Sequence, residues 1–123
     1  MIYLDTHVVL WLLACPERVP ERLRRTVAWG EPRISPIVGL ELAGMYEDGR
    51  LRDPAEEVLE RARRFGLKMG GRPFEELASK AWSLTWTRDP FDRVIAATAM
   101  ADDLPLLTAD RRMLEHCPVA EWD

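Results

Sequence analysis

The sequence predicts an α/β domain, a sandwich of helices around a central, mainly parallel sheet, and three observations carry that expectation. Short apolar runs of strand type alternate with longer segments of helical periodicity, as parallel strands require, because each crossover between them needs a dozen or more residues. Most of the prolines, with Gly30, Gly49 and Gly66, fall at the joints of this pattern. The chain of 123 residues is 47% hydrophobic, enough for one core and too short for two, so residues 1–123 are expected to form a single domain. No repeat or low-complexity stretch interrupts it.

The elements follow in order. Ile2-Tyr3-Leu4 is a short strand stopped by Asp5, and Val8 to Ala14 has the length and leucine content of a buried helix, so the chain opens as strand, tight turn, helix. Pro20 suits the first position of a helix running to about Trp29, with Leu23 and Val27 inward and Gly30 as its end. Arg33-Ile34-Ser35 reads as a second strand. Pro36 opens a helix in which Val38, Glu41, Leu42 and Met45 share one face, closed by Asp48-Gly49. From Pro54 the residues Val58, Leu59, Ala62 and Phe65 mark an amphipathic helix, stopped by Gly66 before the weak strand Leu67-Lys68-Met69. Pro73 starts a helix to about Leu84, and Asp89-Pro90 begins the most regular one, through Ala101. Leu104 to Thr108 is a strand with a proline near its start. A last helix from Asp110 or Arg111 leads to Val119 to Trp122, an edge strand.

Composition excludes several classes. The longest apolar run, Val8 to Cys15, falls far short of the roughly 20 residues of a membrane span. The opening residues carry no basic leader, and a cytoplasmic protein is expected. Two cysteines make no disulfide scaffold, and a zinc site on His7, Cys15, His116 and Cys117 is disfavoured because adjacent ligands rarely chelate one ion. The formal charge of −4 argues against gripping a polyanion by bulk electrostatics. Basic residues nevertheless gather at Arg22 to Arg25, Arg61 to Arg64 and Arg111-Arg112, runs that in isolation are ordinary solvated helix faces.

The acids are more telling. Ligands of parallel sheets gather outside the carboxyl ends of the strands, where Asp5 and Asp110 both fall. Each could simply cap the helix that follows. Glu41 lies on an apolar stripe, where a carboxylate needs a cation, hydrogen bonds or an escape to water. In Asp89-Pro90-Phe91-Asp92, Asp89 suits the N-cap, whereas Asp92 lines up with Ile95, Ala96 and Ala99 on the inward side, or else serves the helix dipole. Carboxylates brought together in this way would repel unless compensated. A hard divalent cation answers that repulsion, and the scarcity of usable His and Cys favours Mg²⁺ or Mn²⁺ over zinc.

Four short motifs in order then resemble the PIN-domain nucleases, specifically toxins of the VapC type. They are Tyr3-Leu4-Asp5-Thr6-His7 with Leu10-Trp11; Ser35-Pro36 leading to Glu41-Leu42-Ala43 and Gly49-Arg50-Leu51; Asp89-Pro90-Phe91-Asp92-Arg93 running into Ala96-Ala97; and Leu107-Thr108-Ala109-Asp110. The resemblance implies a PIN-like α/β/α sandwich and a metal-dependent endoribonuclease whose catalytic and metal-binding acids are Asp5, Glu41, Asp92 and Asp110, with Thr6 and Thr108 hydrogen-bonded behind them. It further implies Mg²⁺ or Mn²⁺, an RNA substrate cut to a 5′-phosphate and a 3′-hydroxyl, a homodimer, and a cognate antitoxin encoded beside the toxin. Such an antitoxin could lay an amphipathic helix on the toxin and place an Arg among the carboxylates. Two other classes compete on the same residues. A phosphoacceptor receiver domain is disfavoured because neither Lys68 nor Lys80 ends a firm strand, and a non-catalytic RNA-binding or scaffold module is disfavoured because all four acids are kept.

Overall fold

The computed structural model describes all residues, 1–123. Five short strands form one sheet: β1 (Ile2–Leu4), β2 (Pro32–Ile34), β3 (Lys68–Met69), β4 (Leu106–Leu107) and β5 (Ala120–Glu121). Their order is β3-β2-β1-β4-β5, and every pairing is parallel. Seven helices surround the sheet: α1 (Thr6–Ala14), α2 (Glu21–Trp29), α3 (Ile37–Glu47), α4 (Ala55–Phe65), α5 (Phe74–Ala81), α6 (Pro90–Asp102) and α7 (Arg111–His116). An all-parallel sheet is stable only when covered on both faces, and the central strands bear this out: Ile2, Tyr3, Leu4, Leu106 and Leu107 are all buried. No helix is long and apolar enough to cross a membrane.

The connectivity positions the site. From β1 the chain steps outward to β2 and β3, returns through α5 and α6 to the other side of β1, and continues outward through β4 to β5. Strand order therefore reverses between β1 and β4, which opens a crevice at their carboxyl ends. The Asp5 amide donates to the Leu107 carbonyl at 3.0 Å, so Asp5 stands on the lip of that crevice while still tied to the neighbouring strand.

Local signals and structure differ in instructive ways. No turn separates β1 from α1; Asp5 itself caps the helix, which begins at Thr6. Pro20, Pro54 and Pro73 stand one position ahead of their helices, with ψ between 140° and 152°, because their carbonyls are needed as the first acceptors for Arg24, Val58 and Leu77. The strand β2 begins one residue earlier than expected, and Ser35 instead turns its hydroxyl to Thr98 at 2.8 Å. β4 keeps only two of the five expected residues. Gly66 ends α4 as expected, at φ +109°, a left-handed conformation that a side chain strains.

Helix α6 is buried on more than one face. Val94 through Ala99 are buried without a break. It packs against both α3 and α5, and the small side chains of Ala96, Ala97 and Ala99 let its neighbours approach from several sides.

Candidate active site

Asp5 is 3% exposed and uses both oxygens. Oδ1 accepts the Thr6 amide at 2.8 Å, capping α1, and Oδ2 accepts the Thr108 hydroxyl at 2.8 Å. That hydroxyl in turn accepts the Asp110 amide at 3.1 Å, so one buried threonine ties the two strand ends together. Asp110 caps α7 through Oδ1, which accepts the Met113 amide at 3.0 Å. Glu41, on the inward stripe of α3, finds its partner in the Thr6 hydroxyl, which donates to Oε1. Asp89 caps α6 by accepting the amides of Phe91 at 2.8 Å and Asp92 at 3.3 Å, both through Oδ1. In Asp89 and Asp110 only one oxygen is engaged by its helix.

These side chains line a single cleft of about 260 Å³, formed by Asp5, Thr6, His7, Glu41, Met45, Arg50, Asp89, Asp92 and Asp110. All four sequence-predicted acids meet there, with Thr6 on its wall and Thr108 just behind. His7, Arg50 and Asp89 also line it, although sequence reading assigned none of them to the site. Arg50 lies in the Gly49-Arg50-Leu51 motif and His7 in the opening one, so a signal existed for both. Asp89 was read only as a cap, and it is also part of the wall. A larger hollow, about 790 Å³ between α5 and α6, mixes Arg72, Lys80, Glu75 and Glu76 and lacks convergent acids.

The cleft is charged beyond what its own residues neutralise. Burial raises the Asp5 carboxyl above its ordinary value and Asp110 adds to this, while His7, the Thr108 hydroxyl and the Thr6 amide pull it back. Glu41 is raised by burial and by Asp5 and Asp89, against the Thr6 hydroxyl and Arg50. Asp92 is pushed up to about 7, by burial first and then by Asp89, Asp5, Asp110 and Glu41, with nothing acting in the opposite direction. Arg50 is the single arginine or lysine on the wall, and its Nε is held by both oxygens of Asp48 at 3.0 and 2.9 Å.

Uncompensated like charges favour splayed side chains, and no three His, Cys, Asp or Glu side chains are drawn closely enough to hold one ion. The donor set itself, oxygen only, half-buried and rich in negative charge, fits a hard divalent cation. Asp5, Glu41, Asp92 and Asp110 are the groups able to supply its ligands.

Known proteins share this architecture. The chain is 29% identical, over 127 aligned positions, to Ribonuclease VapC22 of Mycobacterium tuberculosis, covering 98% of each protein. Its fold is similar to the crystal structure of VapBC2 from Rickettsia felis bound to a promoter DNA fragment, with a TM-score of 0.69, 20% identity and full coverage of both chains. It is also similar to a toxin-antitoxin complex from Klebsiella pneumoniae, with a TM-score of 0.67, 18% identity, and 98% and 96% coverage. The model of the PIN domain matches residues 2–117, from β1 through α7, and so takes in every segment that contributes an acid to the cleft. The chain belongs to the PIN domain family.

Proposed function

We propose that the protein is a metal-dependent endoribonuclease that hydrolyses RNA phosphodiester bonds and acts as the toxin of a toxin–antitoxin pair. The observation that carries this reading is the meeting of acids from β1, α3, α6 and the β4–α7 junction in one cleft whose charge no protein cation balances. The curated relative named as a ribonuclease supports the reaction class, and the toxin-antitoxin complex among its structural neighbours supports the biological role.

In this reading Asp5, Glu41, Asp92 and Asp110 hold Mg²⁺ or Mn²⁺. Such a cation, when bound, stabilises charge developing on the scissile phosphate and makes hydroxide available from water near neutral pH. The chain's own residues orient and select. Thr108 keeps Asp5 from turning, and Thr6 holds Glu41 at Oε1. The acidic wall repels a bare phosphate, so RNA is admitted only after the cleft is neutralised. The recessed position of Asp5 favours single-stranded or looped RNA, whose backbone can reach inward. Hydrolysis leaves a 5′-phosphate and a 3′-hydroxyl. The partners are a second copy of the chain and an antitoxin that inserts an Arg among the same carboxylates.

Incubation of purified protein with RNA tests the reaction. Cleavage is expected with Mg²⁺ or Mn²⁺ and none in EDTA, and Asp5→Asn is expected to abolish it while remaining folded. Metal-independent cutting, or a variant as active as wild type, overturns the proposal. The pairing is tested by co-expression with the small protein encoded beside it, which should relieve growth arrest.

A further inference from the structure

We propose that His7 is a positioning residue of this site, one that sets the distance between the Asp5 and Asp110 carboxylates by clamping the end of β4 to the start of α1; the role rests on the metal-dependent reading above. The amides of the segment leaving β4 are accounted for one by one. Thr108 donates to the Glu121 carbonyl of β5 at 3.2 Å, and Asp110 donates to the Thr108 hydroxyl at 3.1 Å. Between them, the Ala109 amide leaves the ladder and finds no main-chain acceptor. It donates to His7 Nε2 at 2.9 Å, across 102 residues of sequence. A half-buried amide without a partner is costly, so this contact constrains the loop as well as satisfying it.

The bond also defines the imidazole. A backbone N–H can only donate, so Nε2 offers its lone pair and the ring proton resides on Nδ1. Nδ1 lies 3.7 Å from Asp5 Oδ2, the oxygen that accepts the Thr108 hydroxyl. One ring thus faces both walls of the crevice. Its plane is buttressed by Trp11, which meets it edge-on at 4.9 Å and 62°, and Trp11 is itself covered by the Arg18 guanidinium at 4.1 Å. A buttressed ring transmits position where a flexible acceptor would not.

Two variants separate positioning from packing. His7→Phe keeps a ring against Trp11 but removes the acceptor, whereas His7→Gln can return an acceptor oxygen to the place of Nε2. For His7→Phe, Mn²⁺ affinity measured by calorimetry should fall about tenfold or more and kcat should fall with it, while KM for RNA stays within about twofold. His7→Gln should recover most of both. Exchange of the Ala109 amide should be slow in wild type and His7→Gln and fast in His7→Phe, and imidazole nitrogen shifts of the wild type should report Nδ1 protonated and Nε2 free. The opposite tautomer overturns the proposal even if His7→Phe fails to fold. Equal Mn²⁺ affinity in His7→Phe and wild type, or equal losses in both variants, overturns it as well. A wild type that neither binds Mn²⁺ nor cuts RNA brings down the nuclease reading and the positioning role together, whereas a fully active His7→Phe brings down the positioning role alone.

Discussion

At the scale of single residues, capping and cleft lining are not alternatives. Asp5, Asp89 and Asp110 each accept helix amides and each stand on the wall of the cleft. Asp92 differs because it receives no such help and is pushed up to about 7. In the unfolded chain it ionises near 3.8, so between that pH and about 7 the folded state keeps a proton that the unfolded state has lost. Its burden on the metal-free fold is absent below the lower value, grows through the window and is complete above it. Asp92→Asn should therefore melt above wild type in EDTA at about pH 8, melt with it near pH 4, and cut no RNA. Asp89→Ala should lose about 1 kcal/mol of stability through its cap and retain cleavage. Thermal unfolding in both buffers, with an RNA assay, checks the pair, and the reverse pattern would exchange their roles.

Among the elements, the joints matter more than the bodies. The strand β4 is two residues long, yet its end is fixed by the Thr108 hydroxyl, which serves Asp5 and the Asp110 amide at once. Thr108→Val keeps the shape and takes that partner from the buried Asp5 carboxylate and the half-buried Asp110 amide, so it should cost about 1–3 kcal/mol by chemical denaturation and lower cleavage through the altered seat of Asp5. Gly66 closes α4 at φ +109° and is not among the residues that line the cleft. Gly66→Ala is expected to cost about 1 kcal/mol with cleavage per folded molecule unchanged.

For the molecule as a whole, folding gathers charge that the open chain keeps apart. A divalent cation that binds only the gathered acids stabilises the native state by mass action. Mn²⁺ should raise the melting temperature of wild type, by less in Asp5→Asn, and its effect should shrink at about pH 5, where the Asp92 carboxyl, pushed up to about 7, holds a proton that competes with the metal. A shift independent of pH and of Asp5 would point to a different binding place.

By itself the sequence determined the elements, because propensity, proline and glycine punctuation and caps act within a few residues: Ile2-Tyr3-Leu4 before Asp5, Asp89-Pro90 opening α6 and Gly66 closing α4 are all local signals. It also carried the ordered motifs from which the four acids could be named. Only the tertiary structure decided that α6 is buried on several sides, that Asp89 joins the cleft it caps beside, that His7 receives an amide 102 positions away, and that burial and its neighbours push the Asp92 carboxyl up to about 7. These depend on strand order and on the sum of charges from four separate segments, and no window of a few residues contains either.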